Sequence, residues 1–199
     1  MTSHTMLKNY FIIGLTVYSL SLGAKAVEIT ALLGQMYSSD LTSTTDEQEF
    51  SVDDGNNFAL AIAWQESPNG QGQLMINAVS HDFTNTVNNQ EYSLDIIYAH
   101  FNGIAQFRQQ NYVTTVSLGL GGAYFDSDIN EEVYPSATLA FGTRYEFSKT
   151  VSLVTEIRGY ASLVDDDDNL FCSEDVCHAQ FDDTLWIESN ISVGIAVKF

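Results

Sequence analysis

The chain has 199 residues, with 26 acidic and seven basic side chains and a formal net charge of −19. That balance excludes nucleic acid as a natural partner, because phosphate contacts need Lys and Arg. The length fits one domain, and no stretch after the N-terminus approaches the ~20 apolar residues of a spanning helix, so any membrane insertion must use strands.

The first 26 residues read as a secretory signal peptide. Lys8 precedes an apolar run, Tyr10–Leu22, and Ala24 and Ala26 form an A-x-A exit before Val27. Cleavage there removes Lys8 and Lys25 and no acid, leaving five bases against 26 acids, a formal −21.

Residues 27–199 then show eight alternating runs, each long enough to cross a bilayer at a tilt (about nine residues or more). Period two marks strands with one oily face and one polar face. The first is Val27–Tyr37. In the second, Asn57–Trp64, Phe58, Leu60 and Ile62 oppose Ala59, Ala61 and Ala63. The third is Gln73–His81, with Leu74, Ile76 and Ala78 outward. The fourth starts near Glu91, with Tyr92, Leu94, Ile96 and Tyr98 outward and Asp95 inward. Its end is open, and HFNGIAQF extends it past a bulge expected at Asn102-Gly103. Tyr112–Phe125, Ser136–Phe147, Val151–Leu163 and Thr184–Phe199 complete the set. The fold class expected is an all-β, eight-stranded, antiparallel up-and-down transmembrane barrel.

The connections alternate. Ser38–Asn56, Asp82–Gln90, Asp126–Pro135 and Val164–Asp183 are long or very polar, and the others are short turns. Long outside loops and short periplasmic turns are the asymmetry of outer-membrane barrels. Aromatics follow the same division. Trp64, Tyr112, Tyr145, Phe147 and Phe199 gather at the short-turn end; Tyr37, Phe58, Tyr92, Tyr124, Tyr134 and Trp186 gather at the other. Two interfacial belts account for this, although Trp186 falls on the polar face by strict phase.

The rival architecture is a soluble ligand-holding barrel with its apolar face inward. The polar face decides against it. Thr115, Ser117, Gly119, Thr138, Ala140, Gly142 and Ser152 are small, as a narrow, crowded lumen requires. The lumen charges, Glu28, Asp95, Arg144, Glu146, Glu156, Arg158, Glu188 and Lys198, must pair or stay wet. Neighbouring strands suggest the pairs Lys198–Glu28, Arg158–Glu188 and Arg144–Glu156. These ion pairs are expected to fill the lumen. A gate passing small ions is the alternative, and a large-solute porin is excluded by width.

The outer connections are acidic, above all Asp165, Asp166, Asp167 and Asp168. Carboxylates crowded at a loop tip suit Ca²⁺ or Mg²⁺, ions that also bridge lipopolysaccharide phosphates. No other cofactor is expected. Cys172 and Cys177 in FCSEDVCH read as a local disulfide of an exported chain. Enzyme chemistry needs a nucleophile, a base and an orienter within reach. Ser80 and His81 are adjacent and face opposite ways on a strand, so they cannot form a pair, and no enzyme is expected.

The final strand, SVGIAVKF, alternates strictly to a terminal aromatic. Ser192, Gly194, Val197 and Phe199 resemble the C-terminal signal read by the barrel assembly machinery. With LGLGGAYF (Leu118–Phe125) and EIRGYASL (Glu156–Leu163), it makes the whole mature chain resemble the small eight-stranded outer-membrane barrels, the OmpA transmembrane domain and OmpX/Ail-like proteins among them. The resemblance implies the Gram-negative outer membrane as location, and lipid and lipopolysaccharide as surroundings. It is silent about activity. The chain ends at Phe199 without OmpA's periplasmic domain and lacks the basic loop residues of Ail-type adhesins, so the class lends it no binding residue.

Overall fold

In a computed structural model, the described residues are 26–38, 41–42, 49–50, 53–85, 90–127, 130–164, 172–173, 176–177, 180–181 and 184–199. Side chains are not described at 41–42, 49–50, 83–85, 90–92, 172–173, 176–177 and 180–181. Eight long strands form the barrel: β1 Val27–Ser38, β2 Gly55–Ser67, β3 Gly70–Asn85, β4 Gln90–Gln109, β5 Tyr112–Ser127, β6 Glu131–Glu146, β7 Val151–Leu163 and β8 Leu185–Lys198. Each pairs antiparallel with its neighbours in sequence. β1 closes the ring on β8, from Glu28 opposite Lys198 to Ser38 opposite Glu188. Closure leaves no unpaired edge. The expected signal peptide lies outside the described residues except for Ala26.

The alternation in sequence becomes an inside-out distribution. Leu33, Phe58, Ile76, Phe101, Phe141 and Ile191 are exposed on the outer wall, and Leu120 reaches 73 % exposure. Polar Thr30, Asn57, Asn77, Asn102, Ser117 and Asn190 are buried inside. A water-soluble barrel would reverse this arrangement; an outer wall that meets lipid requires it.

β4 corrects the sequence reading twice. It runs without interruption past Asn102 and Gly103, which pair in regular register with Gly119 and Leu118. The irregularity instead lies at Gln65/Ser67, beside a turn. The phase of β4 is also opposite to expectation. Leu94, Ile96 and Tyr98 are fully buried in the lumen, and Asp95 is exposed on the outer wall, where Ser80 Oγ bonds to its carboxylate. Apolar residues occupy both faces of this strand, with Ile97 and Phe101 outward, so alternation carried no sign there.

Tyr134 and Trp186 do not join an outer belt. Both are buried, and Phe125 packs edge-on against them at centroid distances of 5.1 and 6.3 Å. The belt at the short-turn end does show as contacts: Tyr145 sits 5.0 Å from both Tyr112 and Phe147.

The connections are less uniform than expected because the strands run further. Two of the four at the long-connection end shrink to residues 86–89 and 128–130. Length is concentrated in the first and fourth, and the structure joins these two. Leu41-Thr42 pairs with both Glu49-Phe50 and Gln180-Phe181 in a three-stranded sheet. At the opposite end the links are tight. Gln110 in the β4–β5 turn takes a left-handed φ of 52°, a conformation that Gly adopts more readily.

Candidate functional site

Three layers fill the lumen. Nearest the long connections is an apolar plug of Met36, Leu94, Ile96, Phe125, Tyr134 and Trp186, among others. Its lower edge is polar. Glu188 from β8 accepts a hydrogen bond from His81 Nε2 of β3 at 2.7 Å and another from the Tyr98 hydroxyl of β4. His81 Nδ1 lies 2.8 Å from the carbonyl oxygen of Asp53. Both imidazole nitrogens thus face acceptors, an arrangement the doubly protonated ring satisfies. His81 and Glu188 are both sealed from solvent, so the carboxylate fixes three strands at one point.

Below lies a polar waist. Asn57 donates to Asn77 Oδ1 at 2.9 Å, and Asn77 donates to the Tyr160 hydroxyl at 2.8 Å. The Tyr160 ring stacks on Tyr98 with centroids 4.3 Å apart. Arg158, 1 % exposed, donates through Nε to Glu156 at 2.8 Å and through Nη1 to Thr138 Oγ1 at 3.2 Å and Asn102 Oδ1 at 3.4 Å. Asn102 in turn donates to Gln73 at 3.1 Å. Gly119 faces Asn102 across the ladder, and a Cβ there would overlap the Asn102 amide oxygen. The small residue in LGLGGAYF makes room for the polar network.

The third layer is the mouth at the short-turn end. Leu32, Ala59, Ala61, Met75, Val154 and Ala196 form a thin apolar ring. Beneath it the Arg144 guanidinium pairs with the Glu28 carboxylate, both nearly buried. A cavity of about 570 Å³ then opens, lined by Glu28, Glu66, Gln71, Arg108, Glu146, Lys149 and Lys198, among others. Arg108 and Glu146 pair across it at 2.7 Å.

Six of the eight lumen charges expected from sequence therefore form part of these layers as carboxylates or guanidiniums with partners, but the partners differ. Glu28 and Lys198 are register neighbours, yet Glu28 takes Arg144 from β6, across the lumen. Arg158 takes Glu156, two residues away on its own strand, instead of Glu188. Glu188 takes His81 and Tyr98. Nearest-strand reasoning misses these pairs because the lumen is narrow enough for long side chains to reach across it. His81 was legible as an inward residue, sharing parity with Met75 and Asn77 on β3.

Of the remaining expected residues, Ser192 is buried, Val197 is half-buried and Phe199 is 75 % exposed, its N–H bonded to the Val27 carbonyl oxygen at 2.8 Å. Gly194 touches β1 so closely that a Cβ would run into the Ala31 carbonyl. Asp165, Asp166, Asp167 and Asp168 lie outside the described residues. So do the side chains of Cys172 and Cys177, whose backbones are opposite partners in a two-stranded ladder.

No protein-family model matches the chain, and no curated protein matches it in sequence. Solved structures do resemble it. Neisserial surface protein A aligns with 88 % of this chain and 100 % of its own, at 13 % identity and a TM-score of 0.54. Ail, the attachment invasion locus protein of Yersinia pestis, solved with the heparin analogue sucrose octasulfate, aligns with 87 % of this chain and 99 % of its own, at 12 % identity and a TM-score of 0.50. At such identities the likeness is one of fold: a small closed outer-membrane-type barrel.

Proposed function

We propose that the chain is a non-enzymatic protein of a Gram-negative outer membrane, with a structural or surface-interaction role exerted through its acidic long connections. The observation that carries this reading is the inside-out wall around a lumen filled with side chains. A plug of aromatics above a hydrogen-bonded Arg158 waist occupies it, which favours the ends as the working surface. The barrel assembly machinery would insert the chain through its terminal strand, with the short turns in the periplasm.

At the outer end the acids dominate. Among the described residues Asp95 stands directly opposite Asp126, and Asp126 opposite Glu131. Like charges set opposite one another destabilise a sheet. Ca²⁺ or Mg²⁺ would relieve such repulsion here and at Asp165–Asp168, and would tie the protein to lipopolysaccharide phosphates. A polyanion of the kind held in the Ail structure would be repelled instead. The opposed backbones of Cys172 and Cys177 favour a disulfide, since paired antiparallel residues have Cα separations within the range a disulfide spans. It would brace the fourth connection.

Membrane fractionation tests the location. The protein should sediment with outer membranes and show heat-modifiable gel mobility; recovery in the soluble periplasm would overturn the reading. In the same preparations, changing Asp165–Asp168 together to Asn should weaken Mg²⁺-dependent retention of lipopolysaccharide. Unchanged retention would remove the cation role.

A further inference from the structure

The mouth at the short-turn end holds chemistry that neither the plug nor the acidic connections use. Of the five bases in residues 27–199, four (Arg108, Arg144, Lys149 and Lys198) gather there, in a chain otherwise dominated by acid. Arg108 and Arg144 are neutralised by Glu146 and Glu28. Lys149 and Lys198 line the cavity, and among the described residues neither ammonium pairs with a carboxylate. Glu66 also lines it and has a partner of its own, so the two ammonium groups outnumber the one further acid. Gln71, 7 % exposed, lines the same cavity. Its Nε2 donates to Gln65 at 3.3 Å, while its Oε1 is buried with no partner. A buried acceptor left without a donor is costly.

The geometry points to a binding site for the carboxylate end of a short peptide. The carboxylate meets Lys149 and Lys198 in charge-assisted hydrogen bonds, and a peptide N–H donates to Gln71 Oε1. The cavity, about 570 Å³, is of small-ligand size and admits a few residues. Inorganic phosphate near neutral pH keeps a P–OH that could also donate to Gln71 Oε1, so phosphate is the competing ligand that the experiment must separate from the peptide. A lipid headgroup is disfavoured by position, because Glu28, Gln71 and Ser152 are lumen-side residues walled off by the strands from the outer face. The inference rests on the outer-membrane reading only for the source of the peptide, the periplasm.

The experiment uses the refolded barrel in lipid nanodiscs, titrated with acetyl-trialanine and followed by backbone amide NMR. Saturable shifts should appear at Gln71, Lys149, Ser152 and Lys198. Amidating the peptide C-terminus should weaken binding about tenfold or more, as should Lys149→Gln with Lys198→Gln. Gln71→Leu should weaken the peptide about threefold or more, and excess inorganic phosphate should not displace the peptide; displacement by phosphate at equal concentration would overturn the peptide assignment. Heat-modifiable mobility confirms that each variant is folded. No shifts at millimolar peptide would overturn the proposal, as would equal binding of the amidated peptide. Shifts that track the phosphatidylglycerol content of the disc, and not the peptide, would assign the mouth to a lipid phosphate. Because purified protein is used, failed fractionation would sink the outer-membrane reading without altering this measurement.

Discussion

The long-connection end and the short-turn end of the barrel differ in what fills the lumen and in their share of the bases. Toward the long connections the lumen is apolar and aromatic, with the Glu188 carboxylate held by His81 and Tyr98 beneath it. Toward the short turns the filling thins to small residues, then to paired ions, then to an open cavity. A charge is therefore increasingly able to reach water on passing from plug to mouth. The cost of breaking an ion pair should fall along the same axis, because an orphaned charge is penalised for the water it cannot regain.

The plug end should show the largest effect. Glu188→Ala leaves the His81 ring and the Tyr98 hydroxyl facing a void in a layer sealed from solvent. Loss of about 3–5 kcal/mol is expected for removing one partner of such a pair. Urea unfolding of the refolded barrel, followed by gel mobility, measures it. A cost below about 1 kcal/mol would mean that water reaches Glu188, and the plug would not be a seal.

The same axis explains what the sequence disclosed. Near the mouth the inward face is small or charged, so period two separates it from the oily wall, and Lys198, Ala196 and Arg144 could be placed from alternation alone. In the plug the inward face is as apolar as the outward one. Leu94, Ile96, Tyr98 and Tyr134 consequently carry no mark of the side they face, and alternation gives β4 the wrong phase, whereas strict phase on β8 does place Trp186 inward, where it is buried. Gly103 suggested a bulge because glycine weakens a strand pattern, but it lies on the outer wall with open space around it. Which residues face the lumen was thus legible wherever the faces differ chemically. Which lumen residues touch was not, because Glu28 and Arg144 meet across the barrel from β1 and β6, a relation set by its closure and width.

Intermediate along the axis is Arg144→Ala. Its partner Glu28 is nearly buried but also lines the mouth cavity. The orphaned carboxylate can therefore draw in water, and the expected cost is about 1–3 kcal/mol. Urea unfolding against the wild type checks this. A cost equal to that of Glu188→Ala would erase the gradient between the two ends.

The smallest effect is expected at the outermost pair. Arg108 and Glu146 approach to 2.7 Å, but their side chains are 43 % and 33 % exposed. Water and salt screen such a pair, and holding two long side chains in one geometry costs entropy, so its removal is worth about 0–1 kcal/mol. Arg108→Ala should therefore unfold within that margin of wild type, and the difference should vanish in high salt. A larger, salt-insensitive loss would show that the mouth is closed to solvent. Lys149 and Lys198 would then lie in a sealed layer, where two unpaired ammonium groups could not be sustained, and the gradient from plug to mouth would have to be replaced by a lumen sealed at both ends.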